Sequence, residues 1–428
     1  MPHASLTAKR SLSKRISAFG TLPLIGSIAP LLVLPIIARS VDANHWASLL
    51  TCQAIGSFAA VVVLSGWGIN GQATIALEAS KENRRNIYWT SLRSRLLISL
   101  IVLPLALALG TFLSSRSLLL TSALMLVGSA WSGYTISWFA IGCGKASWIV
   151  KYELLPRLLA TLASAYLVLK SGHIWLYPVS LVISLSVGLV LFHKIELGSW
   201  LPRQPWAPTG LPAIERWRGA AVSMAGAAYA AAPLPMTSAL GLPGSAGLAS
   251  ADRLYRYVLF AVHTLANALQ EWVLRSDPRG HVGSQLLAIR LHACLGLAGA
   301  IISVLLGPTL AGLLFGKHVA PSTAICAGYG CAFLFVSLST PLVRNLLIPA
   351  QRTGLVLCST VVSGCLGLGS MVLLGLWLGS SGVSASLALA EIANFLILAP
   401  AAVRLLRSHA RSQAHYDSSP ATSDLASR

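Results

Sequence analysis

Charge is scarce in this chain, and acid is scarcer still: Asp and Glu number 12 against 31 Lys and Arg, and charged residues make up 10% of 428 positions. A soluble surface carries roughly a quarter of its residues as charges, so a water-soluble fold is excluded. Cysteine is used sparingly too. The seven cysteines form no CxxC pair and no His/Cys cluster at ligand spacing, which leaves them as small core residues rather than a zinc or redox site. Catalytic signatures are missing as well. There is no GxSxG elbow, Walker loop or HExxH helix, so nothing calls for an enzyme, a metal or a cofactor. The bases lie in short segments between apolar runs without interleaved aromatics, so the net charge of +19 does not read as a nucleic-acid surface.

What the chain has in abundance is apolar sequence. Hydrophobic residues make up 55% and the mean hydropathy is +0.73, the composition of a membrane protein. Runs of about 20 apolar residues cross a hydrocarbon layer as helices. Twelve such spans are expected, at 17–38, 46–69, 95–113, 118–140, 155–170, 174–193, 219–240, 247–271, 286–306, 323–347, 354–376 and 382–403. The basic N-terminus resembles a signal peptide, but the run behind it is too long and holds Pro23, Pro30 and Pro35, so it reads as a retained first span.

With the N-terminus inside, 25 of the 31 basic residues fall on the cytoplasmic side; Arg39, Arg116, Lys170, Arg253, Arg256 and Lys317 fall outside. That asymmetry satisfies the positive-inside rule and predicts a cytoplasmic membrane protein with both termini cytoplasmic. Arg95 and Arg344 count among the inner anchors in this scheme, with Arg344 snorkelling to the interface. The expected organisation is a basic N-terminus (1–16), a first six-helix lobe (17–193), a Pro/Trp-rich linker (194–218), a second six-helix lobe (219–407) and a disordered tail (408–428). Equal halves suggest an all-α transporter of two pseudo-symmetric lobes.

The costly residues lie in the eighth span, "GLASADRLYRYVLFAVHTLANALQEW". At 100° per residue, Asp252, Arg253, Arg256, His263, Asn267, Gln270 and Glu271 fall within an arc of roughly 120°, with Leu254, Val258, Val262, Leu265, Leu269 and Val273 outside it. A polar stripe cannot face lipid. It either glues helices together through an Asp252–Arg256 pair or lines a cationic, water-filled cavity. Arg39 ends the first span in "LPIIARSVDANHW". It is either an anchor at the outer interface or the third arginine of a phosphate-binding mouth with Arg253 and Arg256, since guanidinium forks bind phosphate oxygens bidentately. Glu391 and Asn394, one turn apart, are a coupling site for a proton or cation, or a packing pair; Asp252 joins them as a gating candidate. The glycines of "SGWGINGQATIALEAS" permit close helix approach or local unwinding.

Three stretches carry a family resemblance: the opening up to Gly66 and Gly68, with Pro35, Ala38, Arg39 and Trp46 in place; "GSAGLASADRLYRYVLF"; and "LLFGKHVAPSTAICAGYG". Over residues 14–407 the chain resembles the bacterial polysaccharide biosynthesis proteins, the lipid-linked oligosaccharide (O-antigen-type) flippases of the multidrug/oligosaccharidyl-lipid/polysaccharide exporter superfamily. It departs from them in having "NHWAS" where a glycine–aromatic pair is usual. The resemblance implies a MATE-like fold and alternating access for a polyprenyl-pyrophosphate oligosaccharide, with a polysaccharide polymerase as a further partner. Arg39, Arg253 and Arg256 would meet the pyrophosphate, and His263, Asn267 and Gln270 the sugar hydroxyls. A cation-coupled multidrug exporter is the rival within the superfamily, and an embedded envelope glycosyltransferase a more distant one.

Overall fold

A computed structural model describes residues 33–199, 213–274 and 281–417. Among them the chain is helical throughout. The elements are α1 (residues 33–40), α2 (Ala43–Leu64), α3 (Gln72–Leu77), α4 (Lys81–Leu113), α5 (Leu119–Ala130), α6 (Ser137–Gly142), α7 (Ala146–Ile149) and α8 (Leu155–Ser171). They continue with α9 (Leu176–Phe192), α10 (Ala213–Ala231), α11 (Pro233–Ala239), α12 (Ser245–Leu274), α13 (His281–Phe315), α14 (Thr323–Pro341), α15 (Thr353–Leu378) and α16 (Ser380–Asp417). Local chemistry sets several starts. The Asp42 carboxylate accepts from the His45 amide at 2.9 Å, and the hydroxyls of Ser80 and Ser322 cap α4 and α14 in the same way.

Nine stretches among the described residues are long and apolar enough to span a membrane, matching nine of the twelve expected spans. The other three depart for identifiable reasons. Most of the first lies outside the described residues. The seventh breaks at Ala232 into α10 and α11, because Pro233 cannot continue the amide ladder. The eighth is one unbroken helix, α12, whose polar stripe lowers its hydropathy. Two ends also run further than expected: α4 begins at Lys81 rather than near 95, and α16 continues through Asp417 into the segment expected to be disordered. Most of the linker, 200–212, lies outside the described residues.

Helices pack in two sets, α2–α9 and α12–α16, with α2 lying against α10, α11 and α12 where the sets meet. Burial follows: 67% of the apolar window of α2 is buried, against 17% for α4 and 11% for α13. α2 is thus a central helix, while α4 and α13 present leucines such as Leu100, Leu105 and Leu305 to the lipid. Small residues allow the close approaches. A Cβ on Gly188 of α9 would lie 1.8 Å from the carbonyl oxygen of Tyr152, whereas one on Gly369 of α15 would meet nothing within 4 Å.

Gly188→Ala is therefore expected to lower stability by about 1–3 kcal/mol through overpacking, seen as a lower melting temperature in detergent. Gly369→Ala should leave melting unchanged or raise it; equal melting of the two variants would contradict the packing described.

Candidate functional site: an arginine-bearing interface between two helix sets

The first half of α12 faces α2. Trp46 Nε1 donates to Ser250 Oγ at 3.0 Å, and its ring packs on Phe315 with centroids 5.5 Å apart. One turn on, Arg253 Nη2 donates to Gln53 Oε1 of α2 at 2.7 Å, while its buried Nε has no partner. Arg256 Nε meets Asp252 Oδ2 at 2.6 Å, Arg256 Nη2 donates to the Ala230 carbonyl at 2.9 Å, and Tyr329 Oη approaches Asp252 Oδ1 at 3.4 Å. The i,i+4 pair of the helix-gluing reading is therefore present. Asp252 neutralises Arg256 as an i,i+4 pair, whereas Arg253 has only the neutral Gln53, so one positive charge stays uncompensated between the helix sets.

Along the second half, His263 is exposed and Asn267 Oδ1 accepts from Arg344 Nη1 at 2.6 Å. Gln270 belongs to the same helix, but its side chain and that of Glu271 lie outside the described residues. Glu391 is buried on α16 and accepts from Tyr229 Oη at 2.8 Å; Asn394, one turn further, keeps a buried Oδ1 without a partner. Tyr255 of α12 lies within electrostatic range of Glu391, Arg256 and Asp252, and its ring packs tilted on Tyr329 with centroids 5.2 Å apart. The two carboxylates thus share a tyrosine-lined region.

Arg39 is turned elsewhere. It is exposed and donates from Nη2 to the carbonyl of Leu313, in the last turn of α13. His318 Nε2 in turn lies 3.1 and 3.0 Å from the carbonyls of Ala38 and Val41, at the end of α1. Terminal carbonyls of a helix have no partner within it. Here the end of each helix is capped by a basic side chain from the other helix set, so Arg39 fastens the two sets instead of joining Arg253 and Arg256. Beside this contact opens a cleft of about 470 Å³ bordered by Asn44, Ser245, Ser322 and Ser380.

Sequence reasoning missed a buried charged pair among the first six spans. Arg95, counted as an interface anchor, is 0% exposed and donates from Nη1 to the carbonyls of Gly133 and Thr135 at 3.2 and 3.0 Å. Glu153 accepts from the Ile136 amide and the Thr135 and Ser137 hydroxyls, at 2.5 to 2.6 Å. The helix breaks between α5 and α6, so the cation meets the carbonyl end and the anion the amide end of the break. The expected unwinding after α2 is present: Ser65 and Gly66 take φ of 50° and 77°, and a wide π-type turn follows over Trp67–Gly71. Among the described residues no group of three or more His, Cys, Asp or Glu is placed to hold a metal.

These features describe a multi-pass membrane protein built from two helix sets. The chain is similar in structure to the eukaryotic MATE transporter AtDTX14 (TM-score 0.60, 14% identity, 94% of this chain and 98% of that one). It is also similar to the Vibrio cholerae MATE transporter VcmN (0.57, 15%, 94% and 98%) and to an inward-facing multidrug resistance MATE family transporter of the MOP superfamily (0.54, 13%, 92% and 99%). No curated protein matches the chain by sequence. Residues 12–204 match the sequence pattern of the family described as polysaccharide biosynthesis protein. The chain therefore has the fold of the MATE transporters, and residues 12–204 are similar in sequence to the polysaccharide biosynthesis proteins.

Removing both caps, Arg39→Ala with His318→Ala, is expected to loosen the Arg39 end. Each exposed bond is worth about 0.5–1.5 kcal/mol, so amide hydrogen exchange over 313–320 should quicken roughly tenfold in detergent. Unchanged exchange would mean that these contacts do not hold the helix sets together.

Proposed function

We propose that the protein flips polyprenyl-pyrophosphate-linked oligosaccharide across the bacterial cytoplasmic membrane by alternating access, as a step in surface polysaccharide assembly. Arg253 carries this reading. A buried guanidinium facing a neutral glutamine between two helix sets attracts an anionic head group, and a cationic drug would be repelled. The polysaccharide biosynthesis signature over 12–204 supports the same substrate class. In this proposal the lobes are residues 17–193 and 219–407, and both termini are cytoplasmic. Arg253 and Arg256 hold the pyrophosphate while His263, Asn267 and Gln270 serve the sugar. The polymerase that consumes the flipped unit is the further partner.

One observation favours a second reading, cation-coupled drug export. Glu391 is a buried carboxylate held by Tyr229 in the tyrosine-lined region, the type of group that binds a coupling proton or cation, and the structural relatives include multidrug transporters.

Transport of a fluorescent polyprenyl-pyrophosphate oligosaccharide into proteoliposomes separates the two. Wild type should transport it regardless of added lipophilic cation, and Arg253→Ala with Arg256→Ala should lower the rate at least tenfold. Export of the cation instead, lost in Glu391→Gln, would replace the flippase reading with the second.

A further inference from the structure

Arg344 lies at the end of its span, where an arginine ordinarily snorkels to water, yet its guanidinium turns inward. It belongs to the wide turn Leu342–Leu347, which follows Pro341 on α14. Its neighbours Asn345, Leu346 and Leu347 are buried, and Arg344 Nη1 reaches across to Asn267 on α12. Asn267 and His263 follow Arg256 by eleven and seven residues, which places the three within about 40° on one face of α12. Arg344 thus joins the stripe about 16 Å along the helix from Arg256. Among the described residues no carboxylate is within ion-pair distance of it.

Two histidines, His263 and His292, lie within electrostatic range of this cation. His292 is fully buried on α13; its Nδ1 sits 2.9 Å from the Ala288 carbonyl and its Nε2 has no partner. A carbonyl only accepts, so Nδ1 carries the proton and Nε2 is left as an acceptor for a hydroxyl or water. The surroundings of Arg344 therefore combine a fork for phosphate oxygens with a free acceptor. A mere packing contact between α12 and α14 needs neither.

We infer that Arg344 is a second anion-binding station, at the end of the path away from Arg39, where the pyrophosphate of an incoming lipid-linked substrate is held before it moves to Arg253 and Arg256. The station rests on the flippase reading and adds to it an order of events. Its expected signature is kinetic: a loading station governs capture, and the deeper site governs passage.

The test measures proteoliposome transport over a range of oligosaccharide-lipid concentrations, alongside binding of farnesyl pyrophosphate to the full-length protein in detergent. Arg344→Ala is expected to raise KM about tenfold or more with a maximal rate within about twofold, the weight of one charge-assisted bidentate contact. Arg344→Lys, which keeps the charge without the fork, should recover part of that loss. Arg344→Gln removes the charge but keeps an amide donor within reach of Asn267, and should raise KM as much as Arg344→Ala does. A wild-type KM in Arg344→Gln would make the contact packing glue and overturn the inference, as would an unchanged KM in Arg344→Ala. If wild type transports no oligosaccharide lipid, the proposed function fails separately and farnesyl pyrophosphate decides the station: tenfold weaker binding to Arg344→Ala sustains it, and equal binding overturns it.

Discussion

The constraint on which this structure depends is the cost of an unpartnered ion inside a membrane protein. That cost is several kcal/mol even after relaxation. Each internal arginine has met it differently. Arg95 takes two backbone carbonyls freed by a helix break, Arg256 takes a carboxylate one turn away, and Arg253 and Arg344 take the side-chain carbonyls of Gln53 and Asn267. These solutions differ in what they leave over. A carboxylate cancels the charge, whereas an amide oxygen satisfies one donor and leaves the charge in place. Arg253 and Arg344, held by side-chain amides, thus keep an uncancelled charge, one on the polar face of α12 and the other turned onto it from the end of α14.

The pairing of charge with irregular backbone recurs on a larger scale. The wide turns Trp67–Gly71, Val150–Leu154, His193–Leu197 and Leu342–Leu347 all fall, by the up-and-down order of the helices, at the end of the bundle opposite Arg39. Such turns are enriched at functional sites because they shift side-chain direction without ending the helix. Leu342–Leu347 shows the use: the segment carries Arg344 onto the face of α12 while Leu346 and Leu347 stay packed. Val150–Leu154 does likewise for Glu153, which reaches the amide end of the neighbouring break, while Tyr152 sits against Gly188.

Much of this was legible in the sequence, and the rest was hidden for definite reasons. Apolar runs located the spans, and periodicity gathered Asp252, Arg253, Arg256, His263 and Asn267 on one face of α12. The glycines after α2 permitted either close helix approach or unwinding, and the chain unwinds there. Arg95 was misread because an apolar window places the start of its helix near the arginine itself, whereas α4 begins at Lys81 and so puts Arg95 about 21 Å along the axis. Arg344 was misread by the same window, which cannot register a wide turn. Arg39 was expected on a phosphate because its carbonyl partner is invisible in a sequence: Leu313 exposes a backbone oxygen only because α13 ends there.

The contacts that join the helix sets change in kind with depth from the Arg39 end, a difference that the alternating access proposed above would use. At the Arg39 end the reciprocal caps involve side chains open to solvent, so water can replace each bond when the helix sets separate and the net cost per bond is small. One turn deeper the contacts are dry: Trp46 on Ser250 and Arg253 on Gln53, where separation exposes a guanidinium that must find a new partner at once. On the flippase reading proposed above, an anion arriving at Arg253 would supply that partner. Binding then replaces the bond to Gln53 that joins α12 to α2, and the ligand shifts the equilibrium between closed and open by the difference in its affinity for the two states. Coupling of substrate to gate on this scheme needs no separate signal, because the residue that recognises the charge is also the one that closes the interface.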